Sequence, residues 1–262
     1  FAIIMARWTK FYLVRIEFLG FRYCGWQTQP GVKTVEEMIN KTFKFIFKHN
    51  DFKVLGSGRT DAKVSADDFA FELFLNETID IPTMLKYLNH NLPFDIRVKT
   101  MEEVDAKFNI IQNPKIKEYH YYFSYGDKSH PFNAPHLINF EQELDIEKMQ
   151  EAVKVFEGTH NFKRFACKPS EHTIFDREII SASIEKNTRY LGDHVPENAH
   201  VFKVKSKGFL RYQVRLMMAA LIDVGAGIYS IDELKNILIE YDKEPMKHNA
   251  PSSGLNLHKI NF

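Results

Sequence analysis

Alternation of apolar and polar side chains predicts the first elements of this chain. Residues 12–18, YLVRIEF, alternate in the manner of a half-buried strand. Thr34, followed three positions later by Glu37, forms a capping-box pattern and predicts a helix that begins just after it. The same half of the chain then predicts strands over residues 69–75 and 96–104, and a short helix that starts at Pro82.

The second half of the chain shows both the alternation of strands and the periodicity of amphipathic helices. Strands are predicted over residues 119–125, 178–185, 200–207 and 255–262, and helices over residues 145–156, 209–224 and 230–241. The helix over 209–224 has the clearest pattern, because its apolar residues recur at 4-3-4-3 spacing. These residues are Leu210, Val214, Met217, Leu221 and Val224.

The order of the elements defines the expected fold class. Strands and helices are mixed without strict alternation, which favours an α+β fold. We expect an N-terminal tail over residues 1–10, an N-terminal sub-domain over 11–108 and a C-terminal sub-domain over 109–262. The connection near residues 105–118 would then leave a cleft between the two sub-domains.

Composition excludes several classes of protein. The 262 residues are 44% hydrophobic and 26% charged, as in an ordinary globular protein, so a disordered or collagen-like chain is excluded. No stretch approaches the roughly 20 apolar residues of a membrane helix, and we expect a soluble chain without an export signal. Cys24 and Cys167 are too few and too far apart for a disulfide framework or a thiolate zinc site. This cysteine usage favours the cytoplasm, and because no H-E-x-x-H motif is present we expect no metal site.

The net charge of +1 hides an uneven distribution of basic residues. One basic cluster consists of Lys163, Arg164 and Lys168. A second consists of Lys203, Lys205, Lys207, Arg211 and Arg215. No acidic residue interrupts the second cluster, and strand alternation places its three lysines on one face. The bland interpretation is a set of solvated faces, and the alternative is a surface of one sign that attracts phosphate.

A polar loop, GSGRTDAKVSA over residues 56–66, contains the clearest candidates for catalytic residues. Glycines allow a tight turn and a close approach to a ligand. Arg59 and Asp61, two positions apart, can be held by such a loop to face one substrate. By themselves these two residues are more typical of a structural salt bridge, and no Lys-Ser or Lys-Thr follows as a phosphate-binding P-loop requires.

Several further segments give this loop a context. GWQTQ follows the first strand, EYHYY opens the aromatic strand at Tyr119, and FLRYQVR with DVGAG covers the helix that carries Arg215. Arg215 lies about 140° around that helix from Leu210, at the margin of the apolar stripe, from which its guanidinium could reach a carboxylate across a cleft. HNLPFDIRV and APSSGLNL complete the set.

Taken together, these motifs resemble those of the TruA family of tRNA pseudouridine synthases. The family has a G-R-T-D-A-G-V-H-A-like loop, a G-W-Q motif, an R-Y-R-Y-like strand, an F-L-x-x-x-V-R helix and a terminal A-P-x-x-G-L-x-L, in the order seen here over roughly residues 11–262. Two positions of the loop depart from the bacterial pattern, with Lys63 in place of Gly and Ser65 in place of His. EYHYY also lacks the customary arginines.

The resemblance implies a pseudouridine synthase fold with a mixed, largely antiparallel sheet, and a reaction that needs no cofactor. Asp61 would be the nucleophile, Tyr119 would stack on the base and could take a proton, and Arg215 would pair with Asp61. Arg59 would help to extrude the target nucleotide, and Leu255 would form a wall of the pocket.

The substrate implied by the resemblance is tRNA, modified at nucleotides 38, 39 and 40 of the anticodon stem-loop, with both basic clusters on the RNA and with a homodimer as the active form. Two alternatives remain open at this point. One is a catalytically inactive RNA-binding relative, and the other is a metal-free hydrolase that uses Asp61.

Overall fold

The computed structural model describes residues 7–113 and 115–262. The strands are β1 (Lys10–Phe18), β2 (Lys53–Gly56), β3 (Ser65–Leu75), β4 (Ile96–Glu103), β5 (Ile116–Tyr125), β6 (Ile138–Phe140), β7 (Gly158–Asn161), β8 (Asp176–Lys186), β9 (His200–Ser206) and β10 (Leu255–Asn261). The helices are α1 (Val35–Phe47), α2 (Ile81–Asn91), α3 (Ile146–Ala152), α4 (Gln213–Gly225) and α5 (Ile231–Ile239). This mixture of helices and strands confirms the α+β class.

The described residues divide into two compact units. Phe1–Lys115 together with Leu257–Phe262 contain the first unit, and Ile116–Asn256 form the second. The sequence predicts a division at 108/109 and one unbroken C-terminal sub-domain, so the structure differs from that expectation at two places. Residues 109–115 belong to the first unit because Ile110 is buried there against Leu13 and Ala70.

The first unit is built on β3. β1 pairs antiparallel with both β3 and β4, and β2 pairs antiparallel with β3. β10 follows β3 in the strand order, and the amide of Ile260 donates to Asp68 of β3. The predicted tail over residues 1–10 lies outside the described residues up to position 6, and Lys10 already belongs to β1.

Aromatic packing joins α1 to β3. The Thr34 hydroxyl accepts the amide of Glu37, as the capping pattern predicts. Phe43 of α1 then packs edge-on against Phe71 of β3, with ring centroids 6.2 Å apart. Both rings are fully buried, so this contact fixes α1 relative to the hairpin formed by β2 and β3.

The second unit contains a sheet in the order β5-β9-β8-β7. β9 pairs antiparallel with β5 and β8, while β6 pairs parallel with β5. Helix α4 is buried on almost every side, and Arg215 is its one half-buried residue. The predicted start of this helix at residue 209 is wrong, because Tyr212 has a left-handed backbone with φ of 66° and the helix begins at Gln213.

No helix in the described part of the chain has the length and apolar character that a membrane crossing requires.

Candidate active site

Asp61 lies in the turn of the hairpin formed by β2 and β3. The turn, residues 57–64, leaves Asp61 half-buried and Arg59 exposed. The carbonyl oxygen of Asp61 accepts the amide of Val64 at 3.2 Å, which closes the turn locally. The carboxylate is thereby carried on backbone whose course is set before any substrate is present.

Main-chain hydrogen bonds to residues 23–26 hold this turn, which we call the Asp61 loop. The amide of Trp26 donates to the carbonyl of Thr60 at 3.3 Å, and the amide of Lys63 donates to the carbonyl of Tyr23 at 2.9 Å. The two bonds flank Asp61 on either side along the chain. The resulting geometry depends on the backbone of two segments and little on their side chains.

Glycines make this close approach possible. A Cβ atom at Gly25 would lie 2.4 Å from the carbonyl oxygen of Thr60, and a Cβ at Gly20 would lie 1.9 Å from that of Val64. Gly25 also has a φ of +84°, which L side chains rarely adopt. Any side chain at these positions would therefore push the Asp61 loop away.

The side chain of Trp26 is buried against β3. It is 1% exposed and stacks on Phe69 with ring centroids 4.2 Å apart. A Cβ at Gly56 would lie 2.4 Å from the indole Nε1. The tryptophan of the GWQ segment is thus a structural residue.

The two departures from the bacterial pattern have different structural consequences. Lys63 adopts a left-handed backbone with φ of 67°, the conformation for which glycine is preferred. Ser65 is buried, and its Oγ accepts the amide of Gly20 at 2.9 Å. Lys63 is therefore a strained position, whereas Ser65 ties the loop to the end of β1.

Arg59 contacts the residue that follows Trp26. Its Nε donates to Oε1 of Gln27 at 3.2 Å. Gln27 donates in turn from Nε2 to Glu36 at 3.1 Å. Sequence reasoning missed Glu36, which its place in the first turn of α1 brings next to the GWQ segment.

Arg215 is held in the second unit by the segment that precedes Leu255. Its Nε donates to the carbonyl of Ala250 at 2.7 Å, and Nη2 donates to Oδ1 of Asn249. Its guanidinium carbon lies 4.6 Å from the centroid of the Tyr212 ring. The half-buried position expected from the helical spacing is confirmed, and these neighbours fix the side chain.

The aromatic strand β5 presents two tyrosines to one face. Tyr119 is half-buried and contacts Phe209 edge-on, with ring centroids 5.2 Å apart. Tyr121 is fully buried, and its hydroxyl donates to the carbonyl of Pro251 at 2.8 Å. Burial raises the pKa of the Tyr121 hydroxyl well above its ordinary value, although the charge of Arg215 lowers it in part.

The terminal APSSGL segment is therefore tied to both β5 and α4. Leu255 is 6% exposed, and a Cβ at the preceding Gly254 would lie 2.8 Å from the carbonyl oxygen of Tyr122. Sequence reasoning named Leu255 but missed the hydrogen bonds of residues 249–251. The glycine at position 254 was the available sequence signal, because the structure shows that a side chain there would clash with the neighbouring strand.

The lysines of β9, together with Lys207, do not form a surface of one sign. Each lysine pairs with a glutamate of a neighbouring strand, which the linear sequence does not place beside it. These pairs are Lys203 with Glu185 at 2.6 Å, Lys205 with Glu118 at 3.4 Å and Lys207 with Glu178 at 3.3 Å. Contact of these lysines with RNA stays a prediction.

The other basic residues lie on connecting segments of the second unit. Lys163 pairs with Asp242 at 3.5 Å, and Nε of Arg164 donates to the carbonyl of Glu244. Lys168 is exposed, and the guanidinium of Arg211 lies over the ring of Tyr212.

The structure thus places the candidate residues in two groups. Arg59 and Asp61 share one loop of the first unit. Tyr119, Arg215 and Leu255 lie in the second unit, where Arg215 and the segment before Leu255 are joined by hydrogen bonds. The pairing of Asp61 with Arg215 stays a prediction.

Comparison with known proteins supplies the family. A family model described as tRNA pseudouridine synthase matches residues 152–262. The chain is 32% identical over 253 residues to a tRNA pseudouridine synthase A of Limosilactobacillus reuteri (strain DSM 20016), with 96% of each chain covered. It is 30% identical over 250 residues to a protein of the same name from Aquifex aeolicus (strain VF5), with 95% of this chain and 98% of the relative covered.

A solved structure of a Cbf5-Nop10-Gar1 complex contains a chain with a TM-score of 0.33 and 14% identity, covering 80% of this chain and 54% of that one. A likeness this distant bears no weight in the assignment. The similarity to the two synthases extends over nearly the whole chain. The chain belongs to the tRNA pseudouridine synthase A family.

Proposed function

We propose that this protein isomerises uridine to pseudouridine in the anticodon stem-loop of tRNA, at nucleotides 38, 39 and 40. Membership of the family over 96% of the chain, with the Asp61 loop present, carries this proposal. The reaction breaks the bond between N1 of uracil and C1′ of ribose, turns the base, and joins C5 to C1′. The proton on C5 is released and one is gained at N1, so the nucleotide keeps its composition.

Asp61 supplies the nucleophilic carboxylate in this proposal. The Asp61 loop supports the role because main-chain bonds on both sides of the residue fix its position before RNA arrives. The carboxylate attacks either C6 of the uracil or C1′ of the ribose, and both routes give the same product.

The other candidate residues take supporting roles. Tyr119 stacks on the base and accepts the C5 proton, while Arg215 holds the Asp61 carboxylate ionised. Arg59 helps to extrude the nucleotide, and Leu255 forms a wall of the pocket. Arg215 suits its role because Asn249 and Ala250 already orient its guanidinium.

The proposal extends to binding and assembly. Affinity for tRNA comes from Lys163, Arg164, Lys168, Lys203, Lys205, Lys207 and Arg211. The enzyme acts in the cytoplasm as a homodimer, because a tRNA is too long for one small site. Light scattering at micromolar concentration tests the dimer, and a monomer would contradict it.

Substitution of the nucleophile tests the reaction itself. Asp61→Asn keeps the shape of the side chain but removes the attacking oxyanion, so pseudouridine formation should fall by more than about a thousandfold. Binding of tRNA should survive within a few-fold, because phosphate contacts supply most of the affinity. Pseudouridine mapping and tritium release from C5-labelled tRNA measure the product.

Asp67→Asn is the matched control, since Asp67 is a half-buried carboxylate six positions further along the chain. It should retain activity. An Asp61→Asn protein that still forms pseudouridine at the wild-type rate would contradict the assignment of the nucleophile. A wild-type protein that binds tRNA without modifying it would instead identify an inactive relative.

A further inference from the structure

A hydrogen-bonded chain of three side chains links the exposed Arg59 to a buried carboxylate. Nε of Arg59 donates to Oε1 of Gln27 at 3.2 Å, and Nε2 of Gln27 donates to Oε2 of Glu36 at 3.1 Å. An amide has one donor end and one acceptor end, so the two contacts together fix which end faces which partner. By accepting from Nε2 of Gln27, Glu36 leaves Oε1 of Gln27 facing Arg59.

Glu36 is the fixed end of this chain. The residue is 8% exposed, and the same Oε2 accepts the amide of Thr28 at 2.8 Å. The amide of Glu36 donates to the carbonyl of Trp26 at 3.0 Å, which joins the start of α1 to the buried tryptophan. A carboxylate in the first turn of a helix is also favoured by the helix dipole.

Arg59, by contrast, needs external support. Its side chain is exposed, and an arginine that rotates freely loses rotamer entropy when it is fixed. Engagement of Nε leaves the planar guanidinium oriented so that its two terminal amino groups can donate to a phosphate or a base. A pre-oriented arginine would lose less entropy at the step in which the nucleotide leaves its stack.

We propose that Glu36 and Gln27 are positioning residues that hold Arg59 in the orientation from which it extrudes the target nucleotide. This inference rests on the proposed function and assigns a role to the glutamine of the GWQ segment. Neither residue touches the reacting atoms. Their effect is on the rate of a step that follows tRNA binding, and not on the affinity for tRNA.

Exchange of the amide of Gln27 with the carboxylate of Glu36 tests this hydrogen-bonded series of side chains. Gln27→Glu retains an acceptor for Arg59 but places a second carboxylate against Glu36. The single-turnover rate of pseudouridine formation should fall about tenfold, while the Kd for tRNA stays within about threefold. Glu36→Gln, combined with Gln27→Glu, restores a donor and an acceptor with reversed polarity, and the double variant should recover to within about threefold of the wild-type rate.

Gln112→Glu is the matched control. Gln112 is an exposed glutamine of the first unit outside the GWQ segment, so the same substitution there should leave the rate unchanged. In an Arg59→Ala background, Gln27→Glu should have no further effect, because the group that it positions is gone.

Three results would overturn the proposal. The first is an unchanged rate in Gln27→Glu. The second is a double variant that is no faster than the single one while melting at the wild-type temperature. The third is an undiminished effect of Gln27→Glu in the Arg59→Ala background, which would show that the chain only stabilises the fold. Failure of the proposed function would be seen separately, as absence of pseudouridine with the wild-type protein.

Discussion

The two groups of candidate residues are held in place by different means. The Asp61 loop is fixed by main-chain hydrogen bonds to Tyr23 and Trp26, and by glycines that allow the backbones to meet. Arg215 is fixed by its own side chain, through contacts with Asn249 and Ala250. The position of Asp61 should therefore be sensitive to changes in backbone geometry, and that of Arg215 to changes in side-chain chemistry.

The comparison also includes buried carboxylates. Glu72 of β3 in the first unit is fully buried, and its Oε1 has no hydrogen-bond partner among the described residues. Asp223 of α4 in the second unit is buried as well, but His248 lies 3.3 Å from it. Glu72 therefore lacks, at one of its two carboxylate oxygens, the kind of partner that His248 provides to Asp223.

The largest expected effect comes from a glycine of the first unit. Gly25→Ala should lower the free energy of unfolding by about 3 kcal/mol or more, because the new Cβ adds a clash with Thr60 to an unfavourable φ. Gly31→Ala is the control, since Gly31 has a similar φ of +76° but open space around it. It should lose only about 1 kcal/mol. Urea unfolding measures both, and equal losses would show that the clash is relieved without harm.

Next in size is the effect of the buried Glu72. Burial raises its pKa to about 7, although its bond to the amide of Ile110 and the charge of Lys53 act in the opposite direction. A raised pKa in the folded state means that stability is complete below the ordinary pKa of 4.5 and is lost as pH rises to about 7. Glu72→Gln should therefore increase the free energy of unfolding by about 2 kcal/mol at pH 8.

At pH 5 the Glu72→Gln substitution should change stability much less, since most of the wild-type carboxyl is then protonated in the folded protein. Urea unfolding of both proteins at pH 5 and pH 8 gives the difference directly. A loss of stability at pH 8 would mean that the ionised carboxylate is stabilised by its surroundings.

In the second unit, Arg215→Lys should reduce the single-turnover rate about tenfold, or about 1.4 kcal/mol in activation free energy. Lysine keeps the charge but loses the planar fork that reaches Ala250 and Asn249 together. Arg177→Lys serves as the control because the Arg177 guanidinium donates to the carbonyl of its neighbour Asp176. Equal rates for the Arg215 and Arg177 variants would show that charge alone suffices.

The smallest effect is a gain. Lys63→Gly should raise the free energy of unfolding by about 1 kcal/mol, because glycine adopts the left-handed φ of 67° without strain. Lys33→Gly, at a position without a positive φ, should instead lose stability. Thermal melts of the two variants check the sign, and a loss with Lys63→Gly would mean that its contact with the Phe21 ring outweighs the strain.

The sequence predicts the long elements because their burial repeats along the chain. The short strands β2, β6 and β7 were missed, since three or four residues are too few to show a period. The start of α4 was misplaced because apolar residues extend upstream of Tyr212, where the backbone is left-handed.

Prediction of the candidate site is limited in a similar way. Motifs identify Asp61 and Arg215, since each depends on a local stretch of sequence. The glutamates that neutralise the lysines of β9 lie on other strands, and only the strand register brings Glu185 within reach of Lys203. The link from Glu36 to Arg59 depends on the packing of α1 against the GWQ segment, which no local pattern encodes.

The place of β10 in the first unit has a consequence for synthesis on the ribosome. Asp68 of β3 receives the amide of Ile260, and His258 lies 2.9 Å from Asp67, so this part of β3 is completed by residues translated after the whole second unit. Domains of nascent chains tend to fold in order from the N-terminus. Part of one strand edge of the first unit therefore stays unpaired until residues 257–262 emerge from the ribosome. An unpaired edge can form hydrogen bonds with other chains. The period between translation of β3 and of β10 is thus when the nascent protein is most exposed to aggregation and most in need of a chaperone.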